Sequence, residues 1–405
     1  MRSGHRTDLS ASAARICWRL PSLREGFHLS KTVSVLIDGT AVPSELGGVG
    51  RYLEGLVGGL QRGGSSFSLV VRAEHAAHFR ALAPGADVVV APRFVDRRPL
   101  RFLWEQTGLV RLRRRLGARV LHSPHYTFPL LSRHGVVTVH DATFFSDPGS
   151  HGRLKRVFFS TWIRVALARR LVCVVPSDAT RAELGRHVGA KRADVVVAHH
   201  GVDRSAFAPP SAADVAAVRD LVGLRPGQPY LAFLGTVEPR KNVGALLRAH
   251  QQLRLDRGPE RVPDIVVAGA RGWDADAARL LDELGVDEGV HEVGYLDFSA
   301  LPALLGGAEV LAYPSSAEGF GLPVLEAMAS GAVVLTTDRS ALPEVGGDAV
   351  EYAEPDVESL RAALARLLDD DARRAELREA GPRRAALFTW EATAAAHVDA
   401  YEAAS

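Results

Sequence analysis

Twice along this chain, short apolar strands, loops and amphipathic helices alternate in regular succession. From Thr32-Val-Ser-Val-Leu-Ile37 onward, strand segments fall at 33–37, 67–71, 87–90, 119–122, 135–139, 171–175 and 194–198, with helices between them, as at 50–61 and 153–169. The segment Gly201-Val-Asp-Arg-Ser-Ala-Phe-Ala-Pro-Pro210 then interrupts the pattern, its two prolines marking a linker. After it, strands at 230–234, 264–268, 290–293, 309–313 and 332–336 alternate with helices at 242–255, 275–284, 299–305, 323–330 and 356–368. Apolar runs of this length, bounded by turn residues and separated by helices, indicate βαβ units and parallel sheets covered on both faces. The expectation is an α/β protein of two tandem doubly wound domains. The boundaries read from the sequence are a disordered extension at 1–30, a first domain at 31–205, a second at 206–383, and a helix within 384–405 that returns to the first domain.

A chain of 405 residues has ample core for two such domains. Its composition, 47% apolar and 24% charged, excludes the disordered and fibrous classes. No apolar run approaches the ~18 residues that span a bilayer. Residues 1–30 hold five arginines but no continuous apolar stretch of the signal-peptide kind. With two cysteines, Cys17 and Cys173, a disulfide framework is not expected, and Cys173 within an apolar strand predicts a buried thiol. A reducing, cytoplasmic setting follows as an expectation.

The net charge of +2 conceals a division. Residues 1–205 carry 31 Lys and Arg against 15 Asp and Glu, whereas the remainder carries 18 against 32. The basic half concentrates its charge at 93–119 and 153–170, where Phe158, Phe159 and Trp162 interleave with Lys155, Arg156, Arg164, Arg169 and Arg170. Two readings stand: a pair of solvated helix faces, or a basic, aromatic surface that meets anionic lipid headgroups, with peripheral attachment to the inner face of the cell membrane.

Ligands of open α/β sheets lie beyond the carboxyl ends of the strands, and each notable motif falls there. Gly47-Gly-Val-Gly50 follows the first strand; alone, these glycines serve tight helix–strand packing as well as close approach to a ligand. His140-Asp141 follows 135–139, and the histidine is read either as a cleft residue hydrogen-bonding a sugar hydroxyl or as a satisfied structural group. Arg240-Lys241 follows 230–234 at a strand–helix junction, where paired cations can neutralise a diphosphate or simply face water. The run Glu318-Gly-Phe-Gly-Leu-Pro-Val-Leu-Glu326 follows 309–313. Gly319 and Gly321 permit a tight loop close to a ligand, and Pro323 suits a first helical turn. Glu326 then lies about one turn inside the helix, near its positive end. Asp274-Ala-Asp276 formally matches a metal–nucleotide DxD but sits on a first helical turn, where acidic residues serve the helix dipole. Ser177 reads as an N-cap. The pairs His122/His125 and His199/His200 lack a carboxylate or cysteine at ligand spacing, so no zinc site is expected from them.

Together these residues resemble the retaining GT-B glycosyltransferases of family four, from about residue 32 to the C-terminus. The carriers are Gly47-Gly-Val-Gly-Arg-Tyr52, Phe102-Leu-Trp-Glu-Gln106, Leu121-His-Ser-Pro124, Val139-His-Asp-Ala142, Gly201-Val-Asp203, Gly235 to Asn242 and, most specific, Tyr313 to Ala329. The resemblance implies a GT-B fold, two Rossmann-like domains facing a central cleft, the first binding the acceptor and the second a nucleotide-diphosphate sugar. Residue by residue, it implies that Glu326 binds the ribose and Glu318 the donor-sugar hydroxyls. The backbone of Gly319, Phe320 and Gly321 would line the donor, Arg240 and Lys241 hold its diphosphate, Gly48 approach the distal phosphate and His140 sit beside the sugar. The implied catalytic residues are thus His140, Glu318, Arg240 and Lys241, with neither metal nor cofactor. His199-His200 before Gly201 departs from the family's more usual residues. The Trp104-Glu105-Gln106 and Gly47-containing patterns resemble mannosyltransferases that use GDP-mannose. A glycan or polyprenyl-linked acceptor of envelope polysaccharide synthesis is the implied partner, and nucleic acid is not. A nucleotide-sugar epimerase or hydrolase, and a non-catalytic sugar-nucleotide-binding protein, are the competing readings.

Overall fold

The computed structural model describes residues 33–42, 47–132, 134–147, 149, 152–191 and 194–405. The expected N-terminal extension, with Cys17, lies outside them. The first sheet holds β1 Val35–Asp38, β2 Phe67–Val71, β3 Asp87–Val90, β4 Val120–Ser123, β5 Gly135–Thr138, β6 Val172–Val175 and β7 Val195–Val197, in the order β3-β2-β1-β4-β5-β6-β7. The second holds β8 Tyr230–Leu234, β9 Asp264–Ala268, β10 Val290–Gly294, β11 Val310–Tyr313, β12 Val334–Thr336 and β13 Glu351–Tyr352, in the order β10-β9-β8-β11-β12-β13. Both sheets start at a central strand, run to one edge, then return and run to the other. β1 pairs in parallel with β2 and β4, and β8 with β9 and β11. The winding reverses beside those central strands, where crevices open at the strand ends.

Helices α1 Gly48–Arg62, α2 Ala76–Leu82, α3 Arg98–Arg115, α4 Thr143–Ser146, α5 Arg153–Ala168 and α6 Asp178–Val188 accompany the first sheet. Helices α7 Ala212–Leu221, α8 Val243–Arg257, α9 Ala275–Glu283, α10 Leu301–Gly306, α11 Leu322–Ala329, α12 Leu342–Gly346, α13 Val357–Asp369 and α14 Asp371–Ala385 accompany the second. The central strands β1, β4, β5, β8 and β11 are buried along their whole length, as parallel strands under helices must be. α1 buries Tyr52, Leu53, Leu56, Val57 and Leu60 on one helical stripe, each large side chain contributing roughly 1.5–3 kcal/mol. Ser177 caps α6 by accepting from Thr180 N–H, and Asp274 caps α9 by accepting from Ala277 N–H. Asp276 pairs instead with Arg248 and Arg279.

The last helix, α15 Trp390–Ala404, packs on α1 and against β5, β6 and β7 of the first sheet. Phe388 belongs to the core of the second domain and Trp390 to that of the first, so the chain crosses between them, a few residues beyond 384. Three glycines make room for it. A Cβ on Gly55 would meet the Trp390 ring at 2.1 Å, on Gly59 the Trp390 carbonyl oxygen at 2.2 Å, and on Gly201 the Trp390 nitrogen at 2.3 Å.

The basic segments resolve into α3 and α5, but their aromatics divide. Trp162 is buried and Phe159 stacks on Phe144, so both serve the core; Phe158 is exposed, together with Leu154, Val157, Leu100 and Leu103. Cys173 is buried on β6, and burial pushes its thiol up to about 12. Among the described residues, no helix is long and apolar enough to cross a membrane.

Candidate active site

The loop between β11 and α11 carries the two glutamates, and its glycines answer to two different constraints. Gly321 N-caps α11 at φ 105°, a left-handed conformation that favours glycine. Gly319 needs glycine for another reason: a Cβ there would lie 1.8 Å from the carbonyl oxygen of His140, across the cleft in the first domain. Its own carbonyl accepts from the hydroxyls of Ser177 at 2.7 Å and Thr180 at 3.2 Å at the start of α6. Close packing of two domains, rather than loop flexibility, explains Gly319.

Glu318 is 8% exposed and fully engaged. Its Oε1 accepts from Lys241 Nζ at 2.9 Å, Tyr313 Oη at 2.8 Å and Ser315 Oγ at 2.9 Å, and its Oε2 lies 2.7 Å from Arg240 Nη1. Burial alone would push this carboxyl up; the two adjacent cations outweigh it and hold the group well below the usual carboxylate range. Lys241 also donates to Tyr313 Oη, and burial lowers its ammonium despite the neighbouring carboxylate. Arg240 is steered by Glu238 at 3.0 Å and by the Ala317 carbonyl at 3.0 Å. Arg240 and Lys241 thus stand side by side on this wall, balanced by the carboxylates of Glu318 and Glu238.

The opposite wall comes from the first domain. His140 donates from Nε2 to the Pro124 carbonyl at 2.8 Å and presents a ring edge to Tyr52. Burial lowers its pKa, so the ring is neutral with Nδ1 an acceptor. His200, 5% exposed, packs between Phe320 and Trp390 and carries a buried Nδ1 without a hydrogen-bond partner. At Gly47 and Gly48 an added Cβ would meet nothing within 4 Å. Helix–strand packing therefore does not account for those two glycines; they face open space at the head of α1.

His140, Gly48, Arg240, Lys241, Glu318, Gly319, Phe320 and Gly321 all line one cleft of about 610 Å³. Glu326 is the exception. It is 3% exposed beneath Arg51, whose Nη1 lies 2.6 Å from each of its oxygens. Burial raises the pKa of Glu326, and Arg51 opposes that rise. Sequence reasoning passed over Arg51, Tyr313 and Ser315 as site residues. Tyr313 and Ser315 stood inside the specific motif, so proximity to Glu318 was their signal; Arg51 had only its place one turn beyond Gly48. His199 does meet carboxylates, from positions remote in sequence: Asp178, His199 and Glu344 have ligand atoms within 4.8 Å of one another. Glu344 is already satisfied there by His199 Nε2 and by the N–H groups of Asp178 and Ala179, tying α12 to the start of α6.

Two doubly wound domains that share a charged cleft at their switch points define the GT-B class of glycosyltransferases. The family described as Glycosyltransferase Family 4 matches residues 46–206, and that described as Glycosyl transferases group 1 matches residues 215–384. The O-antigen chain mannosyltransferase B of Escherichia coli is 33% identical over 317 residues, covering 76% of this chain and 82% of that protein. The MMP alpha-(1->4)-mannosyltransferase of Mycolicibacterium hassiacum is 38% identical over 179 residues, 43% of each chain. In fold, sucrose-phosphate synthase from Thermosynechococcus elongatus superposes with a TM-score of 0.71 at 20% identity, over 91% of this chain and 98% of that one. HepE of Anabaena, in complex with UDP and glucose, superposes with a TM-score of 0.70 at 15% identity, over 91% and 99%. The chain belongs to the family-4 GT-B glycosyltransferases.

Proposed function

We propose that the protein transfers a hexose, mannose in preference, from a nucleotide-diphosphate sugar to a glycan or lipid-linked acceptor in envelope polysaccharide synthesis, with retention of anomeric configuration. The observation that carries this reading is the Arg240–Lys241–Glu318 cluster on the cleft wall, with His140 facing it. The adjacent guanidinium and ammonium of Arg240 and Lys241 suit a diphosphate, and an ionised Glu318 accepts hydrogen bonds from sugar hydroxyls. GDP-mannose is favoured as donor, in keeping with the two mannosyltransferase relatives.

In this reading the bond between the anomeric carbon and the diphosphate oxygen breaks while the acceptor oxygen bonds the same carbon on the same face. The acceptor's proton passes to the departing diphosphate. Arg240 and Lys241 stabilise the charge that develops on that group. Neutral His140 Nδ1 accepts from a sugar hydroxyl and fixes the ring. No step calls on a metal. The exposed apolar and basic residues of α3 and α5 would hold the first domain against an anionic bilayer and so near a lipid-linked acceptor.

The test is one transfer assay. Candidate nucleotide sugars are offered with oligosaccharide acceptors, free or polyprenyl-linked in anionic vesicles, in excess chelator and at low and high salt. We expect transfer from GDP-mannose, an α-anomeric product by NMR, and a salt-sensitive gain from vesicles. Sugar isomerised or hydrolysed without acceptor would favour the epimerase or hydrolase alternative; binding without turnover would favour a non-catalytic protein.

A further inference from the structure

Arg51 stands one turn into α1, in the first domain, and reaches across the cleft to a carboxylate 275 residues away in sequence. A single guanidinium nitrogen, Nη1, lies 2.6 Å from both oxygens of Glu326. The Arg51 side chain is 18% exposed and lines the cleft, whereas that of Glu326 is 4% exposed behind it. The partners lie on helices of different domains, so the pair exists only while the two domains meet at this point.

The guanidinium is also incompletely used. Its Nε is buried without a hydrogen-bond partner, an arrangement that proteins seldom leave in place. A planar fork spending one nitrogen on two oxygens is poorly matched to a carboxylate, which Arg normally grips with two. Beside it, Gly47 and Gly48 leave open space at the cleft. The position is therefore better suited to a ligand that is absent than to the carboxylate it holds.

We propose that Arg51 is a donor-responsive latch between the domains. Without donor, it occupies Glu326. When a nucleoside diphosphate sugar enters, Arg51 yields that carboxylate to the ribose hydroxyls and turns its guanidinium onto the diphosphate, in the space beside Gly47 and Gly48. This rests on the reading above that gives the ribose to Glu326. The exchange keeps every buried charge accompanied: diphosphate replaces carboxylate beside the guanidinium, and ribose hydroxyls replace guanidinium beside the carboxylate.

The signature is opposite effects on two halves of one ligand. A nucleoside presents a ribose without phosphates, so it must displace Arg51 and gains nothing from it. A nucleoside diphosphate recovers Arg51 as a ligand. The affinities of guanosine, GDP, uridine and UDP are measured by calorimetry for the wild type, Arg51→Ala and the double variant Arg51→Ala/Glu326→Gln. In Arg51→Ala the nucleoside that fits binds about tenfold more tightly and its diphosphate about tenfold more weakly, tenfold being about 1.4 kcal/mol. An unchanged ratio of diphosphate to nucleoside affinity overturns the latch, and so does a fall in both affinities, which would make Arg51 a support for Glu326. If adding Glu326→Gln to Arg51→Ala leaves the nucleoside affinity unchanged, the ribose assignment fails and the latch with it, a result separable from the first two. Should Arg51→Ala not fold, Arg51→Gln, which keeps length and polarity without charge, carries the same comparison.

Discussion

At the scale of single residues, the cleft is governed by one carboxylate held between two cations. Neutralising Glu318 leaves Lys241 buried without its carboxylate and Arg240 with Glu238 alone, since four polar partners converge on the two oxygens of Glu318. Glu318→Gln should therefore lower the stability of the donor-free protein by ~3 kcal/mol, the scale of breaking one partner out of a buried ion cluster. A nucleoside diphosphate should restore more of that loss than it adds to the wild type, because its own negative charge takes over. Urea denaturation with and without GDP or UDP measures both; unchanged stability on substitution would show the cluster to be well solvated. This grouping was partly legible in the sequence. Two glutamates eight residues apart with glycines and a proline between them mark a loop and a helix start, and local spacing places all of it. What spacing could not supply was the pairing of Glu326 with Arg51, or the contact of Gly319 with His140. Both are made between domains, and no periodicity within either domain encodes them.

Among the elements, α15 is held most tightly by absence of side chains. It lies against α1 through Gly55 and Gly59, where any Cβ would strike Trp390. Gly59→Ala pits a helix-propensity gain of roughly 1 kcal/mol against overpacking onto a backbone oxygen that has little freedom to yield. The clash should prevail, with a net loss of about 1–3 kcal/mol and a lower urea midpoint. A raised midpoint would mean that α15 slides without cost. The elements that sequence reading placed and those it missed differ in a physical way. Strands such as Tyr230–Leu234 are continuous apolar runs, buried on both faces and visible as such. β13 is an edge of two half-buried residues, Glu351 and Tyr352, with no apolar run to see. α14 is dominated by Arg, Glu and Ala and buries only Leu377, Gly381 and Ala385, too narrow a stripe to announce a helix.

For the molecule as a whole, acid works against an interior rich in neutral histidines. Burial holds His122, His140 and His200 below the usual imidazole value, His397 at about 4 and His125 at about 3. Such groups stay neutral when folded but take up protons near pH 6.5 once unfolded. The unfolded chain thus binds more protons below that pH, and stability falls as pH drops from about 6.5 toward 4. Glu105, pushed up to about 7 chiefly by burial, works in the opposite sense, since its folded form binds the extra proton between about pH 4.5 and 7. Asp38, Glu183 and Glu326, also raised chiefly by burial, add to it, but with His250 at about 4 the lowered histidines remain more numerous. Tm should decline steadily between pH 7 and 4.5. His397→Gln should flatten that slope, because His397 sits on α15 in hydrogen-bond contact with Tyr52 of α1. A Tm flat across this range would show that the folded and unfolded chains bind equal numbers of protons there, so that burial does not hold these rings neutral.

The crossing between Phe388 and Trp390 lies beside the linker: Val202 N–H donates to the Phe388 carbonyl at 3.2 Å, and Gly201 abuts Trp390. Two covalent passages between the domains, hydrogen-bonded side by side, make a strap rather than a thread. A thread would let one domain spin about the other; a strap folds about its width and resists twist. Any opening of the cleft about such a strap would be confined toward a single degree of freedom, and closing would return Arg51 and Gly319 to the same partners.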